Sequence, residues 1–294
     1  MTGHSAIATR GSAATGGIDL TSGVTVIEAS RGWVPLRLAE LWEYREVLYF
    51  LVWRDLKARY RQTLLGVAWA IIQPLFTMVL FTVIFGRLAK IPSDGLPYAV
   101  FSLAALVPWN FFSTALTQSS NSLVNNGHIL RKVYFPRLFL PLGRVLGCVP
   151  DLALAFGLLL IITWRYGLHP RLVALCWVPV FICLSLAMAL AAGLWLSALN
   201  VRFRDVQHLI PFLVQFWLFA TPIVYPSSLL PSRWRTLYAL NPMVGVVDGF
   251  RWALLGKGEP PGAMLATSAL TALVILTAGA LFFRRVEKTF ADVV

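Results

Sequence analysis

The run Leu64–Phe85 holds 22 residues and not one charged side chain. As a helix rising 1.5 Å per residue it would be about 33 Å long, enough to cross a hydrocarbon core of about 30 Å. Tyr98–Gln118, Leu172–Leu199, Val206–Val224 and Ala263–Phe283 are runs of the same kind. Leu138–Trp164 joins them although it contains Arg144, Pro150 and Asp151. Several runs also carry internal prolines (Pro108, Pro179, Pro211, Pro222), which membrane helices tolerate because neighbouring groups re-satisfy the freed carbonyls. Composition agrees: only 13% of the 294 residues are charged, 58% are apolar, and the mean hydropathy is +0.72. Soluble domains carry about 25% charge. An ordinary soluble enzyme, a disordered chain and a coiled coil are excluded, leaving an integral membrane protein.

The expectation is an all-α fold of six transmembrane helices over residues 63–290. Residues 1–30 are rich in Gly, Ser, Thr and Ala without periodicity and read as a disordered cytoplasmic tail. Residues 36–62 read as an amphipathic helix lying in the membrane interface. Leu38, Leu41, Trp42, Leu48, Tyr49, Val52, Trp53, Leu56 and Tyr60 recur at helical spacing, and Glu40, Glu43, Glu46, Arg54, Asp55, Lys57, Arg59 and Arg61 fill the other face. A helix packed on a partner is the alternative. No basic segment precedes an apolar one at the N-terminus, so a cleaved signal peptide is not expected.

The net charge of +12 sets the orientation. With six spans, 17 of the 25 Lys+Arg fall on the side of the two termini, which places both termini in the cytoplasm of a cytoplasmic-membrane protein. The excess is a topology signal and not a nucleic-acid surface. Cys148, Cys176 and Cys183 lie in apolar stretches and read as small hydrophobes, with no disulfide framework and no metal site.

No catalytic constellation is present in the sequence. There is no phosphate-binding glycine loop before a Lys-Ser/Thr pair, no HExxH and no GxSxG. Acids near membrane depth are Asp151 and Asp248; Asp151 reads as the partner of an arginine from another helix. Three segments stand out instead. Phe212, Phe216 and Phe219 form one helical stripe, with Trp217 beside it, and the first span adds Trp69, Phe76 and Phe81. Such rings suit either a channel wall for sugars or packing and lipid contact. The loop 125–141 carries Ile129, Leu130, Val133, Tyr134 and Phe135, a short apolar helix pressed into a neighbour. The 38-residue connection Tyr225–Gly262 is mostly apolar, with Asn241-Pro242 as a helix start. Its apolar stretches are too short to span and read as re-entrant or interfacial half-helices, or as a compact outer cap.

Together LVWRDLKARYRQTLLGVAWAIIQPL (51–75), VPWNFFSTALTQSSNSLVNN (107–126), ILRKVYFPRLFLPL (129–142), LSALNVRFRDVQHLIPFLVQFWLFATPIVYP (196–226) and LNPMVGVVDGFRWALLG (240–256) resemble the membrane subunit of ABC-type polysaccharide and polyol-phosphate exporters. These permeases export O-antigen, teichoic acid and capsule. The resemblance spans residues 36–290 and implies a homodimer, two copies of a separate ATPase subunit that binds ATP and Mg, and a polyprenyl-diphosphate-linked glycan as substrate. It implies no cofactor in this chain. It further implies a coupling helix formed by Asn126, His128, Ile129, Leu130, Arg131, Lys132, Val133, Tyr134 and Phe135. The aromatics above would line a channel, and Trp234, Tyr238, Asn241, Pro242 and Asp248 would sit at an outer gate. A membrane glycosyltransferase or polymerase, which would need a carboxylate pair at the membrane surface, and a proton-coupled carrier, which would need midplane acids, are the competing readings.

Overall fold

A computed structural model describes residues 42–61, 66–130, 135–168, 170, 172–257, 260 and 262–287. The tail 1–30 and the first residues of the expected interfacial helix lie outside them. The described residues form helices and connecting turns. The principal helices are α1 (Arg45–Arg61), α2 (Gly66–Phe81), α3 (Tyr98–Ser120), α4 (Phe139–Leu146), α5 (Val149–Arg165), α6 (Val178–Arg202), α7 (Val206–Phe219), α8 (Ser232–Tyr238), α9 (Pro242–Leu255) and α10 (Ala263–Glu287).

Among the described residues, five segments are long and apolar enough to cross a membrane: Ala68–Leu88, Tyr98–Ser120, Phe139–Arg165, Val173–Arg202 and Ala263–Glu287. The first is α2 continued by a π-helical turn, Thr82–Leu88. The third is two helices rather than one, because the chain breaks at Gly147-Cys148 and restarts with Pro150 in the first turn of α5. Proline is tolerated there, since the first turn has no intrahelical N–H partner to lose. Pro179 occupies the same position in α6. The expected fifth span, Val206–Val224, folds as the 14-residue α7, which ends at Phe219. At 1.5 Å per residue α7 is about 21 Å long and does not by itself cross the core.

At the centre stands α3. Leu103, Ala104, Ala105 and Leu106 are fully buried, as are Phe112, Ala115 and Leu116 farther along. Its apolar residues surround the axis, the pattern of a helix enclosed on all sides. Helices α6, α9, α4, α2 and α5 pack around it, and α10 closes onto α6. Small residues permit the close approaches. A Cβ on Gly279 of α10 would lie 2.9 Å from the Ala191 carbonyl of α6, so only glycine fits there. Beside it Trp195 stacks on Phe282 at 4.5 Å between ring centroids.

The connection after α7 is a packed element. Among the described residues, α9 buries Met243, Val244, Val246, Val247, Phe250, Ala253 and Leu254 completely, so it is wedged into the bundle and does not lie on the lipid interface. Asn241 caps it as the sequence leads one to expect: its Oδ1 accepts from the Met243 N–H, and Gly256, at φ 66°, ends the helix.

The helix expected to lie in the interface, α1, turns part of its charged face into the bundle. Arg54, Asp55 and Arg59 point into the bundle, while Trp42, Tyr49, Phe50 and Trp53 are exposed. The physical reason is that each inward charge meets a partner on another element, and the aromatic face is left for the headgroup region.

Candidate functional site

After the end of α3 come two short helices, Ser122–Asn125 and Gly127–Leu130. Asn126 between them is buried; its Nδ2 donates to the Ser122 carbonyl at 2.8 Å, and its Oδ1 accepts from Arg54 Nη2 at 3.1 Å. Arg54 also pairs with Asp55 at 2.9 Å, and Asp55 with Arg144 of α4 at 3.2 Å. The segment expected to couple to an ATPase is thus tied to α1 and α4. Within it Ile129 and Phe135 turn toward a second apolar cluster with Leu51, Leu123, Phe139 and Phe283. Phe135 is only 5% exposed, so it serves the protein's own core. Exposed here are Val124 and Asn125. Arg131, Lys132, Val133 and Tyr134 lie outside the described residues, as do the side chains of His128 and Leu130.

A second polar cluster joins α1 to α5. Arg59 donates to Asp151 Oδ2 at 2.5 Å and to Gln118 Oε1 of α3 at 2.6 Å. Tyr60 donates its hydroxyl to Asp151 Oδ1. Burial, and then the bond to Asp151, push the Tyr60 phenol up to about 12, which keeps it a donor. Asp151 therefore has the arginine partner from another helix that its position suggests.

Beside this cluster opens a cavity of about 540 Å³ between α1, α2, α3 and α5. Asn110, Thr114 and Gln118 line it from α3, and Gln73 from α2; Trp69, Val107, Phe111 and Leu152 supply apolar wall. Asn110 Nδ2 is buried and has no hydrogen-bond partner among the described residues. The i, i+4, i+8 spacing of Asn110, Thr114 and Gln118 is a visible polar stripe in an otherwise apolar span, and sequence reading passed over it.

The aromatic groups divide. Phe212, Phe216 and Phe219 share one exposed face of α7, at 68%, 67% and 53%. Trp217 does not join them. It turns inward, meets Phe112 edge-on at 5.0 Å, and donates Nε1 to Asn241 Oδ1 at 2.9 Å. On α2, Trp69 and Phe76 are exposed, whereas Phe81 packs on Phe85 at 5.2 Å.

The end of the bundle that holds the turn after α7 is cross-braced. Asn241 Nδ2 donates to the Ala220 carbonyl and to Thr221 Oγ1, both at 3.0 Å. Buried Arg251 donates to the carbonyls of Pro222 at 2.6 Å and Ile223 at 3.0 Å. It lies 3.6 Å above the Phe101 ring and 3.8 Å from Asp248. Tyr98 donates to the Val224 carbonyl at 2.7 Å. These bonds give the turn after α7 donors for carbonyls that no helix satisfies. Tyr238 meets the Tyr225 hydroxyl at 2.8 Å, Pro242 is buried, and Trp234 stands half exposed under Arg233. Burial, with that hydroxyl contact, pushes the Tyr238 phenol up. Of the five residues expected at an outer gate, Asn241 and Asp248 belong to the brace, and Trp234 is the most open.

Residues 46–255 match the family described as ABC-2 type transporter. The chain is 32% identical over 255 residues to the O-antigen export system permease protein RfbA of Myxococcus xanthus, covering 86% of this chain and 97% of that protein. A protein of the same description from Klebsiella pneumoniae is 24% identical over 84% of this chain and 95% of its own length. The polysialic acid transport protein KpsM of Escherichia coli is 23% identical over 80% of this chain and 91% of its own.

Proposed function

Because the chain belongs to the ABC-2 type transporter membrane family, we propose that it is the permease of an exporter that moves a lipid-linked polysaccharide, an O-antigen-like glycan, across the cytoplasmic membrane. The observation that carries this reading is the near full-length likeness to O-antigen export permeases. A permease of this family works with a partner ATPase subunit, where ATP and Mg would act; the chain itself is a transport subunit and not an enzyme.

Two copies would form the pathway. The coupling segment 126–135 would meet the ATPase, and Asn126 and Arg54 would carry its displacement to α1. Phe212, Phe216 and Phe219 would offer a sliding wall, since rings that stack weakly on sugar faces orient a chain without trapping it. With α7 and the turn after it counted as a sixth crossing, both termini are cytoplasmic and the α8–α9 connection lies outside.

The test is reconstitution with a partner ATPase subunit from the same cell. Glycan-lipid is expected to stimulate ATP hydrolysis by the complex, and deletion of the permease to leave finished glycan inside the cell. ATP turnover by the purified chain alone, or export that survives its deletion, would refute the assignment. Reporter fusions after Arg285 should score cytoplasmic and those within 227–257 external.

A further inference from the structure

The cavity between α1, α2, α3 and α5 sits where no expected functional residue but Trp69 was placed. Its polar side is unusual for a membrane bundle. Asn110, Thr114 and Gln118 are spaced along one face of α3 over about 12 Å, and Asn110 lies near the middle of that span. Polar side chains at such depth face a bundle interior or a water-filled space, and mark pathways. The buried Asn110 Nδ2 has no partner among the described residues, while Gln73 and Thr114 show further polar groups to the same space. The apolar wall comes from Trp69 of α2, Leu152 of α5, and Val107 and Phe111 beside the polar stripe on α3 itself.

What fits is set by charge and hydrogen bonding. Among the described lining residues the cation is Arg59, which is matched by Asp151 and bonded to Gln118, so these residues offer no surplus charge to a diphosphate. A hydrocarbon chain would leave Asn110 Nδ2 unpaired and bury Thr114 and Gln73 against methylenes. A sugar ring presents hydroxyls that accept and donate at its edge and an apolar face that stacks on an indole. The volume, about 540 Å³, is that of a small-molecule site. We propose that this cavity is a binding subsite for an uncharged, hydroxyl-bearing stretch of the transported glycan, reached from the cytoplasmic side. The ligand class rests on the polysaccharide reading above.

The experiment uses the intact permease–ATPase complex in cell membranes, in a cysteine-free background with Asn110→Cys or Thr114→Cys. A membrane-impermeant thiol reagent applied from the cytoplasmic face should label both positions. Labelling should fall severalfold in cells that make the glycan but carry an ATPase unable to hydrolyse ATP, compared with cells that make none. Reaction only with a lipid-soluble reagent would mean the cavity holds acyl chains, and labelling indifferent to glycan would mean it holds water alone; either result overturns the subsite. In parallel, Asn110→Leu should slow export about tenfold, the worth of one lost hydrogen bond to the ligand. Export at the parental rate in that variant sinks the subsite while leaving the permease reading intact. Export after deletion of the whole chain sinks the reading itself.

Discussion

Two membrane spans of this chain, α3 and the span that begins with α2, are nearly alike as sequences and opposite as structure. The most apolar 18-residue stretch of Tyr98–Ser120 has a mean hydropathy of 1.5 and 78% of its residues are buried; that of Ala68–Leu88 is more apolar, at 2.0, and only 6% of its residues are buried. The less hydrophobic span is the interior one. Lipid is as apolar as leucine, so burial in a membrane bundle follows packing and hydrogen bonding and not hydropathy. Helix α3 presents Ser102, Ala104, Ala105, Ala115, Ser119 and Ser120 to its neighbours, which lets backbones approach. The α2 span presents Trp69, Phe76, Val79 and Leu80, too bulky for close packing and suited to lipid or to another chain.

The sharpest way to break the comparison is a matched pair of truncations. Leu103→Ala, at a fully buried position of α3, should cost about 2–5 kcal/mol in the thermal unfolding of the purified protein. Leu80→Ala on the bare face should stay within about 0.5 kcal/mol. Equal effects would mean that the bare face is covered in the assembled transporter, which would itself reveal the dimer contact.

A smaller effect is expected where α9 meets the turn after α7. Arg251→Met keeps the length of the side chain but removes the donors to the Pro222 and Ile223 carbonyls. Leaving such carbonyls unpaired should cost about 1–3 kcal/mol. Protease sensitivity of 222–230 in membranes would report it, and an unchanged cleavage pattern would show that the brace is dispensable.

The least effect on stability belongs to α7. Phe216→Ala should leave unfolding within about 0.5 kcal/mol of the parent while slowing export. Single cysteines through 209–223 should react with an impermeant thiol reagent in a helical pattern peaking at 212, 216 and 219. A peak at 214, 217 and 221 would place the phenylalanines against lipid, and the bare faces of α2 and α7 would then share that environment.

Several of these features were legible before any coordinates. The uncharged runs located the spans, Asn241-Pro242 located the start of α9, and Asp151 read as an arginine's partner. Others were not. Trp217 has the same side chain whether it lines a stripe or reaches Asn241, and one helical step separates the two. Phe135 reads as a docking residue in a basic loop, yet Leu51, Leu123 and Phe283 already surround it. Gly147-Cys148 carries no proline until Pro150, so the break between α4 and α5 is hidden inside one apolar run. The stripe Asn110, Thr114, Gln118 was on view but had no meaning until α2 and α5 were seen to leave space beside it.

By itself the sequence determined that this chain lives in a membrane, where its long apolar runs lie, and which family it belongs to. Each is a sum over local residues: the transfer of a segment into hydrocarbon depends on that segment alone, and family likeness on residues in order. Only the tertiary structure decided which span is central, which arginine answers which aspartate, and where a cavity remains. Those depend on which surfaces meet. Hydropathy carries no information on that, because lipid and protein interior are nearly the same solvent for an apolar side chain, and only shape and hydrogen bonds tell them apart.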